Sequence, residues 1–208
     1  MIDLDAFDKE IIAAFFVSAL SGETAIDIIR KKLAINPEYI EDRIKYLIDN
    51  GFIENNRKNL TELGRNALRI VLAGGVFDII HPGHIHTLKA AKDLGNVLVV
   101  VIATDKTAQK MKNRIPLHNM ELRRDLVRAL AMVDYAVVGY EGDIFKSVET
   151  IRPNIIALGY DQVHQEKFIV DGCKKIGINV SIARLQSPIP DIKSSKIEND
   201  YGKSIYGI

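Results

Sequence analysis

Arg69-Ile70-Val71-Leu72-Ala73-Gly74-Gly75-Val76-Phe77-Asp78-Ile79-Ile80-His81-Pro82-Gly83-His84 sets the architecture of this chain. Arg69 to Ala73 predicts a short strand that ends on a glycine pair. A glycine there lets backbone come close to a ligand, because it carries no Cβ. Pro82 suits the first turn of a helix, where its missing N–H costs nothing. A helix start offers unpaired N–H groups and a partial positive charge, a natural place for phosphate. His81 and His84 flank that start and carry N–H donors for phosphoryl oxygens. The stretch therefore reads as a phosphate cradle, although it holds neither a P-loop lysine signature nor G-x-G-x-x-G.

Outward from this motif the pattern is one of alternation. Asn96 to Ala103 is a continuous apolar, β-branched run, as in parallel strands buried on both faces. Further strands are predicted at Tyr135–Val138, Ile155–Leu158 and Asn179–Ala183. Helices are predicted at His84–Leu94, Met120–Met132, Ile144–Ile151 and Gln165–Ile176. Strand–helix alternation means βαβ units, so we expect an α/β fold with a doubly wound, five-stranded parallel sheet. The first strand of such a sheet delivers its C-terminal end to the ligand crevice.

The segment before Arg69 behaves differently. Ile11, Ile12, Phe15, Phe16 and Ala19 predict one buried face of a helix over residues 8–18. A second helix is expected from Glu23 to Leu33. A third follows Asn36-Pro37 and is stopped by Gly51. Residues 52–60 read as strand, turn and strand, and Thr61-Glu62-Leu63-Gly64-Arg65 as another helix start. This order, with Leu60 to Arg65 after the hairpin, resembles a winged helix-turn-helix module. We expect two domains, 1–67 and 68–208.

Charge separates the same two segments. Residues 1–67 hold nine Lys/Arg and twelve Asp/Glu, while the remainder holds nineteen and fifteen. DNA affinity rests on cations against phosphates. The helix that would enter a groove begins Asn36-Pro37-Glu38-Tyr39-Ile40-Glu41-Asp42, and three carboxylates at its reading end would repel a duplex. A nucleic-acid partner is therefore not expected, and the first module is assigned a dimer-forming or lid-like role. The single cysteine, Cys173, excludes an internal disulfide and a cysteine metal cluster. No apolar run reaches the length of a membrane span, and the N-terminus is acidic where a secretory signal would be basic. A cytoplasmic location is expected.

Gly75-x-Phe77-Asp78-x-x-His81-x-Gly83-His84 resembles the signature of the cytidylyltransferase-like nucleotidyltransferases. The resemblance runs from about Arg69 to Tyr201, through Ala103-Thr104-Asp105, Lys110-Met111-Lys112, Glu121-Leu122-Arg123-Arg124, Gly159-Tyr160-Asp161-Gln162 and Ser194-Ser195-Lys196-Ile197. It implies transfer of a nucleoside monophosphate from a triphosphate to a phosphorylated acceptor, with release of pyrophosphate and no covalent enzyme intermediate. His81 and His84 would hold the α- and β-phosphates, and Lys110 or Lys112, on a loop after the second strand, would bridge acceptor and α-phosphate. Gly74, Gly75, Val76, Phe77 and Gly83 would shape the cradle. Asp78 would either organise that loop or hold a Mg²⁺ that arrives with the nucleotide. Ser194 and Ser195 would meet the outer phosphates, and Gly159 and Asp161 the base or ribose. Arg184 is a phosphate candidate. Arg123 would reach phosphate or pair with Glu121 or Asp125.

Pro153 to Gln162 resembles the archaeal FAD synthase branch, which implies ATP and FMN as substrates. Ser194 to Ile197 resembles instead the enzymes that use CTP with a polyol or amino-alcohol phosphate. Transfer of AMP to FMN is the first expectation and cytidylyl transfer the second. A nucleotide-sensing transcriptional regulator is the alternative of another class. A homodimer is expected.

Overall fold

The computed structural model describes residues 3–159, 162–186 and 197. Contacts divide them into two compact units. One comprises the residues up to Arg69 with Gly95–Val97, and the other comprises Ile70–Leu94 and the residues from Leu98 onward.

The first unit is built on four helices: α1 (Ala6–Ser21), α2 (Ala25–Lys32), α3 (Pro37–Asp49) and the short α4 (Glu62–Asn66). Each begins on a side-chain cap, from Asp5, Thr24, Asn36 and Thr61, which satisfies N–H groups that the helix itself leaves unpaired. Helix α1 does not bury a single stripe as its pattern predicts. Ile11 to Val17 are all buried and Ala19 is exposed, because this helix lies inside the unit. Its Asp8 is wholly buried and is held by the Arg43 guanidinium, with Nη2 2.6 Å from both carboxylate oxygens. Between α3 and α4, the expected hairpin contracts to one antiparallel bridge, Ile53 to Leu60. Glu38, Tyr39, Glu41 and Asp42 are exposed along the start of α3.

The second unit is the sheet. Strands β1 (Ile70–Gly75), β2 (Val97–Ile102), β3 (Tyr135–Val138), β4 (Ile155–Leu158) and β5 (Ser181–Arg184) lie in the order β3-β2-β1-β4-β5. The β1–β4, β2–β3 and β4–β5 pairs are parallel. Strand order reverses beside β1, so the crevice of this doubly wound sheet opens at the ends of β1 and β4. Helix α5 (Pro82–Lys92) follows β1, and its Leu88 and Ala91 join Val71, Ala73, Val100 and Ala157 in the main core.

After β2 comes α6 (Asp105–Lys112), where the sequence predicts a loop. After it, α7 (Met120–Arg128) stops four residues before the predicted Met132, because Leu130 and Met132 turn to pack against the core. Helices α8 (Ile144–Ile151) and α9 (Glu166–Lys175) contact each other. Among the described residues, no helix is long and apolar enough to cross a membrane. The short helix predicted near Ser195–Tyr201 lies outside the described residues, apart from Ile197, which is helical.

Candidate active site

The site forms where β1 runs out. Gly75 leaves room for the buried Phe77 ring, whose Cε2 would lie 2.8 Å from a Cβ there. Phe77 itself has a φ of 53°, a left-handed turn that folds its side chain back into the core beneath the loop. At Gly74 a Cβ would touch only the Val101 carbonyl, at an ordinary 3.6 Å. Packing within the protein therefore does not demand glycine at 74, and an approaching ligand would.

His81 is the N-cap residue of α5, with extended backbone and no side-chain cap bond, and Pro82 opens the helix. Gly83 is buried in its first turn. The helix start is thus left for an external acceptor. The His81 and His84 rings lie 3.9 Å apart between centroids, and Phe77 sits 5.1 Å from His84. Both Nδ1 atoms are buried without a hydrogen-bond partner. Unpartnered buried polar atoms are rare, and a pair of them at a helix start marks a place for a ligand. Burial pushes the His84 imidazole down to about 4. The neighbouring His81 and the Lys112 charge add to that fall, against a hydrogen bond to the Ile79 backbone. Burial and Lys112 also lower His81. Both rings are neutral near pH 7, and an arriving polyanion would reverse the balance.

Lys112 therefore stands near both histidines. It occupies the last turn of α6, as does Lys110. Residues two apart on a helix point about 200° apart, so the pair cannot act alike, and only Lys112 depresses the imidazoles.

Asp78 is 3% exposed, and its carboxylate accepts bonds from Arg114 Nη1 (2.8 Å), Leu117 N (2.9 Å) and His118 N (3.0 Å). These donors hold its carboxyl below the usual range against the opposing effect of burial, which is the largest influence. Of its two expected roles, this geometry suits the organising one. Among the described residues, no group of three His, Cys, Asp or Glu could hold a metal.

Arg123 requires a correction. Its guanidinium is wholly buried, and four of its five N–H donors are spent inside the fold, none of them on Glu121 or Asp125. Nη1 donates to the Val76 carbonyl (2.6 Å), Nη2 to the Ala103 carbonyl and to Asp105 (2.8 Å each), and Nε to the His118 carbonyl (3.0 Å). It ties together the loop before His81, the start of the helix bearing Lys112, and the segment that Asp78 holds.

Arg184, exposed at the end of β5, donates from Nε to Glu166 at 2.5 Å, and this pairing raises its pKa. Gly159 follows β4, and its N–H donates to Gln162 Oε1, while Gln162 Nε2 donates to the Gly74 carbonyl at 3.3 Å. Gln162 thus bridges the two strand ends at the crevice. The expectations for Asp161, Ser194 and Ser195 lie outside the described residues.

Beside this cradle, a cavity of about 490 Å³ opens across the ends of β1, β2 and β4. Its walls include Leu72, Val101, Ile156, Met111, Tyr140, Phe145 and Phe168, with Thr104, Thr107, Ser147, Gln162 and Gln165 as uncharged polar points. Among the described residues no lysine or arginine lines it, and the one acid there, Asp143, caps α8 by accepting from Phe145 N and Lys146 N. Sequence reasoning passed over these walls, since Phe145 and Phe168 read as ordinary apolar helix positions. Of the residues singled out from the sequence, Gly74, Gly75, Ala103, Thr104 and Gln162 line this cavity.

Residues 72–200 match the family described as Cytidylyltransferase-like. An FAD synthase of Picrophilus torridus is 48% identical over 125 residues, covering 60% of this chain and 89% of that protein. An FAD synthase of Aciduliprofundum boonei is 49% identical over 116 residues, covering 56% and 77%. Among solved structures, a lipopolysaccharide core biosynthesis protein from Thermoplasma volcanium superposes with a TM-score of 0.55 at 45% identity, covering 58% of this chain and 98% of that one.

Proposed function

The chain belongs to the cytidylyltransferase-like family, and from that premise we propose that it is a cytoplasmic FMN adenylyltransferase. The phosphate of FMN attacks the α-phosphorus of ATP. The new P–O bond forms as the bond to the β-phosphate oxygen breaks, and pyrophosphate leaves with its electron pair.

The cavity carries the choice of acceptor. A ligand slot of this size with few polar points suits a flat apolar ring system whose edge bears hydrogen-bonding groups. The fused rings of FMN match that description, with Gln165 and the second N–H of Gln162 available to the ring edge. Glycerol phosphate or ethanolamine phosphate would leave the aromatic walls wet and unfilled. With no cation among the described residues of its lining, the cavity is also unsuited to a triphosphate, which belongs at the α5 start. Relatives named FAD synthase, at 48% and 49% identity, support the same reading.

Catalysis then rests on positioning and charge neutralisation. His81, His84 and the N–H groups opening α5 hold the α- and β-phosphates. Gly74 and Gly75 keep the floor of the cradle free of side chains. Lys112, whose charge reaches both histidines, is assigned to neutralise charge developing on the α-phosphoryl group, and Lys110 is not. Asp78 and Arg123 act one step back, by fixing the segments that carry these groups. Gly159, and Asp161 after it, meet the adenosine moiety, and Ser194 and Ser195 meet the outer phosphates. Arg184 is kept as a phosphate candidate that must first leave Glu166. Mg²⁺ would accompany ATP; Asp78 is engaged and, among the described residues, no group of three acids or histidines could hold the ion, so it would arrive with the nucleotide. A homodimer is retained in this reading.

A pyrophosphate-release screen tests it, with ATP and CTP each paired with FMN, glycerol phosphate and ethanolamine phosphate. Release is expected from ATP with FMN. Release only from CTP with a small phosphate would replace adenylylation by cytidylyl transfer.

A further inference from the structure

Helix α9 contains a glycine, Gly172, well inside its ten residues. Glycine is among the poorest helix formers, and Gly172 has no positive φ to excuse it. Its reason is space. A Cβ at 172 would lie 1.9 Å from Cζ and 2.2 Å from Cε1 of Phe145. The Phe145 ring, reaching over from α8, occupies the volume that any other residue would need. Four residues earlier on the same helix face, Phe168 meets that ring at 5.2 Å between centroids, tilted by 57°. Phe145 and Phe168 both line the cavity.

We infer that Gly172 sets the width of the acceptor slot, because its missing side chain seats the Phe145 ring against α9 and keeps it out of the cavity. The inference rests on the reading of that cavity as the FMN slot. The clashing atoms are the far end of Phe145, a side chain that turns about two bonds. A methyl group at 172 would therefore turn the ring away from α9 rather than move backbone, and Phe145 lines the cavity while Gly172 does not. Gly172 touches no substrate. It acts through Phe145 as a specificity-determining position.

Steady-state kinetics on the full chain test this, with FMN and ATP varied separately. For Gly172→Ala the KM for FMN is expected to rise about tenfold, the size of effect expected when binding contacts are lost from one substrate. The KM for ATP should stay within about twofold, since the α5 cradle is untouched. Phe145→Leu removes the ring and should also weaken FMN. In that background, adding Gly172→Ala should cost nothing more, because the group it displaces is gone. An equal penalty from Gly172→Ala with and without the Phe145 ring would overturn the inference, as would an unchanged KM for FMN.

If Gly172→Ala fails to fold alone, the comparison of Phe145→Leu with the double variant still decides. Folding of the double variant with Phe145→Leu kinetics supports the seat, and its failure to fold refutes it. The adenylylation reading fails separately, if the wild-type chain makes no FAD.

Discussion

His84 concentrates the chemistry of the site in one ring. It is buried, its imidazole titrates near 4, and its Nδ1 has no partner. Holding it so costs stability, which the bound triphosphate would return. Binding should therefore take up protons, and the affinity for ATP should rise as pH falls from 8 toward 6. Calorimetry in buffers of different ionisation enthalpy measures this directly, and uptake should shrink in His84→Gln. The stability sign is fixed by the same shift. Between about pH 4 and 6.5 the unfolded chain binds the proton that folded His84 refuses, so stability is highest above about 6.5 and falls as pH drops toward about 4. A His84→Gln variant should lose less stability over that interval in urea titrations. His84→Ala should lower kcat by roughly 10²–10³, the usual loss when a donor to a reacting phosphoryl or oxyanion group is removed. These residues were legible in the sequence because the cradle is local, with strand end, glycines, proline and both histidines inside eleven consecutive positions. Arg123 was not legible. Its partner Val76 lies 47 residues away and Ala103 lies 20 away, and a pattern of charges along a helix says nothing about carbonyls that the fold brings to it.

Among the elements, the segments around α6 and α7 depend on this one buried arginine. Replacing it by Met keeps most of the volume but strands three carbonyls and frees Asp105. Arg123→Met should cost about 3 kcal/mol by urea unfolding, and should lower kcat more than it raises either KM, since the loops it ties carry the reacting groups. Arg123→Lys should recover only part of this, because a point charge cannot reproduce a planar fork of donors. In the first unit, Arg43→Met leaves the Asp8 carboxylate buried without its partner and should cost about 3–5 kcal/mol, by the same measurement. The strands of the sheet were readable from continuous apolar runs. Helix α6 was not, since Asp105 to Lys112 buries only Ala108 and so carries no apolar stripe for periodicity to detect. The aromatic walls were hidden for a related reason, because nothing in a linear pattern brings position 145 over position 172.

For the whole molecule, two modules with different chemistry share one chain. The crevice, the cradle and the aromatic slot all belong to the second unit. The first unit presents Glu38, Glu41 and Asp42 where a winged helix would read bases. Fluorescence anisotropy of the full chain with a labelled random duplex should show no salt-dependent binding at physiological ionic strength, whereas a salt slope of several phosphates would revive the regulator. The most direct measurement of the central claim follows a label. ATP carrying a radioactive α-phosphate is mixed with FMN and the chain, and the products are separated. The label should appear in FAD, with one pyrophosphate released for each FAD formed, and His84→Ala should suppress both together. Label that stays in ATP or emerges as AMP while FMN is unchanged, with CTP and a polyol phosphate reacting instead, would contradict the account.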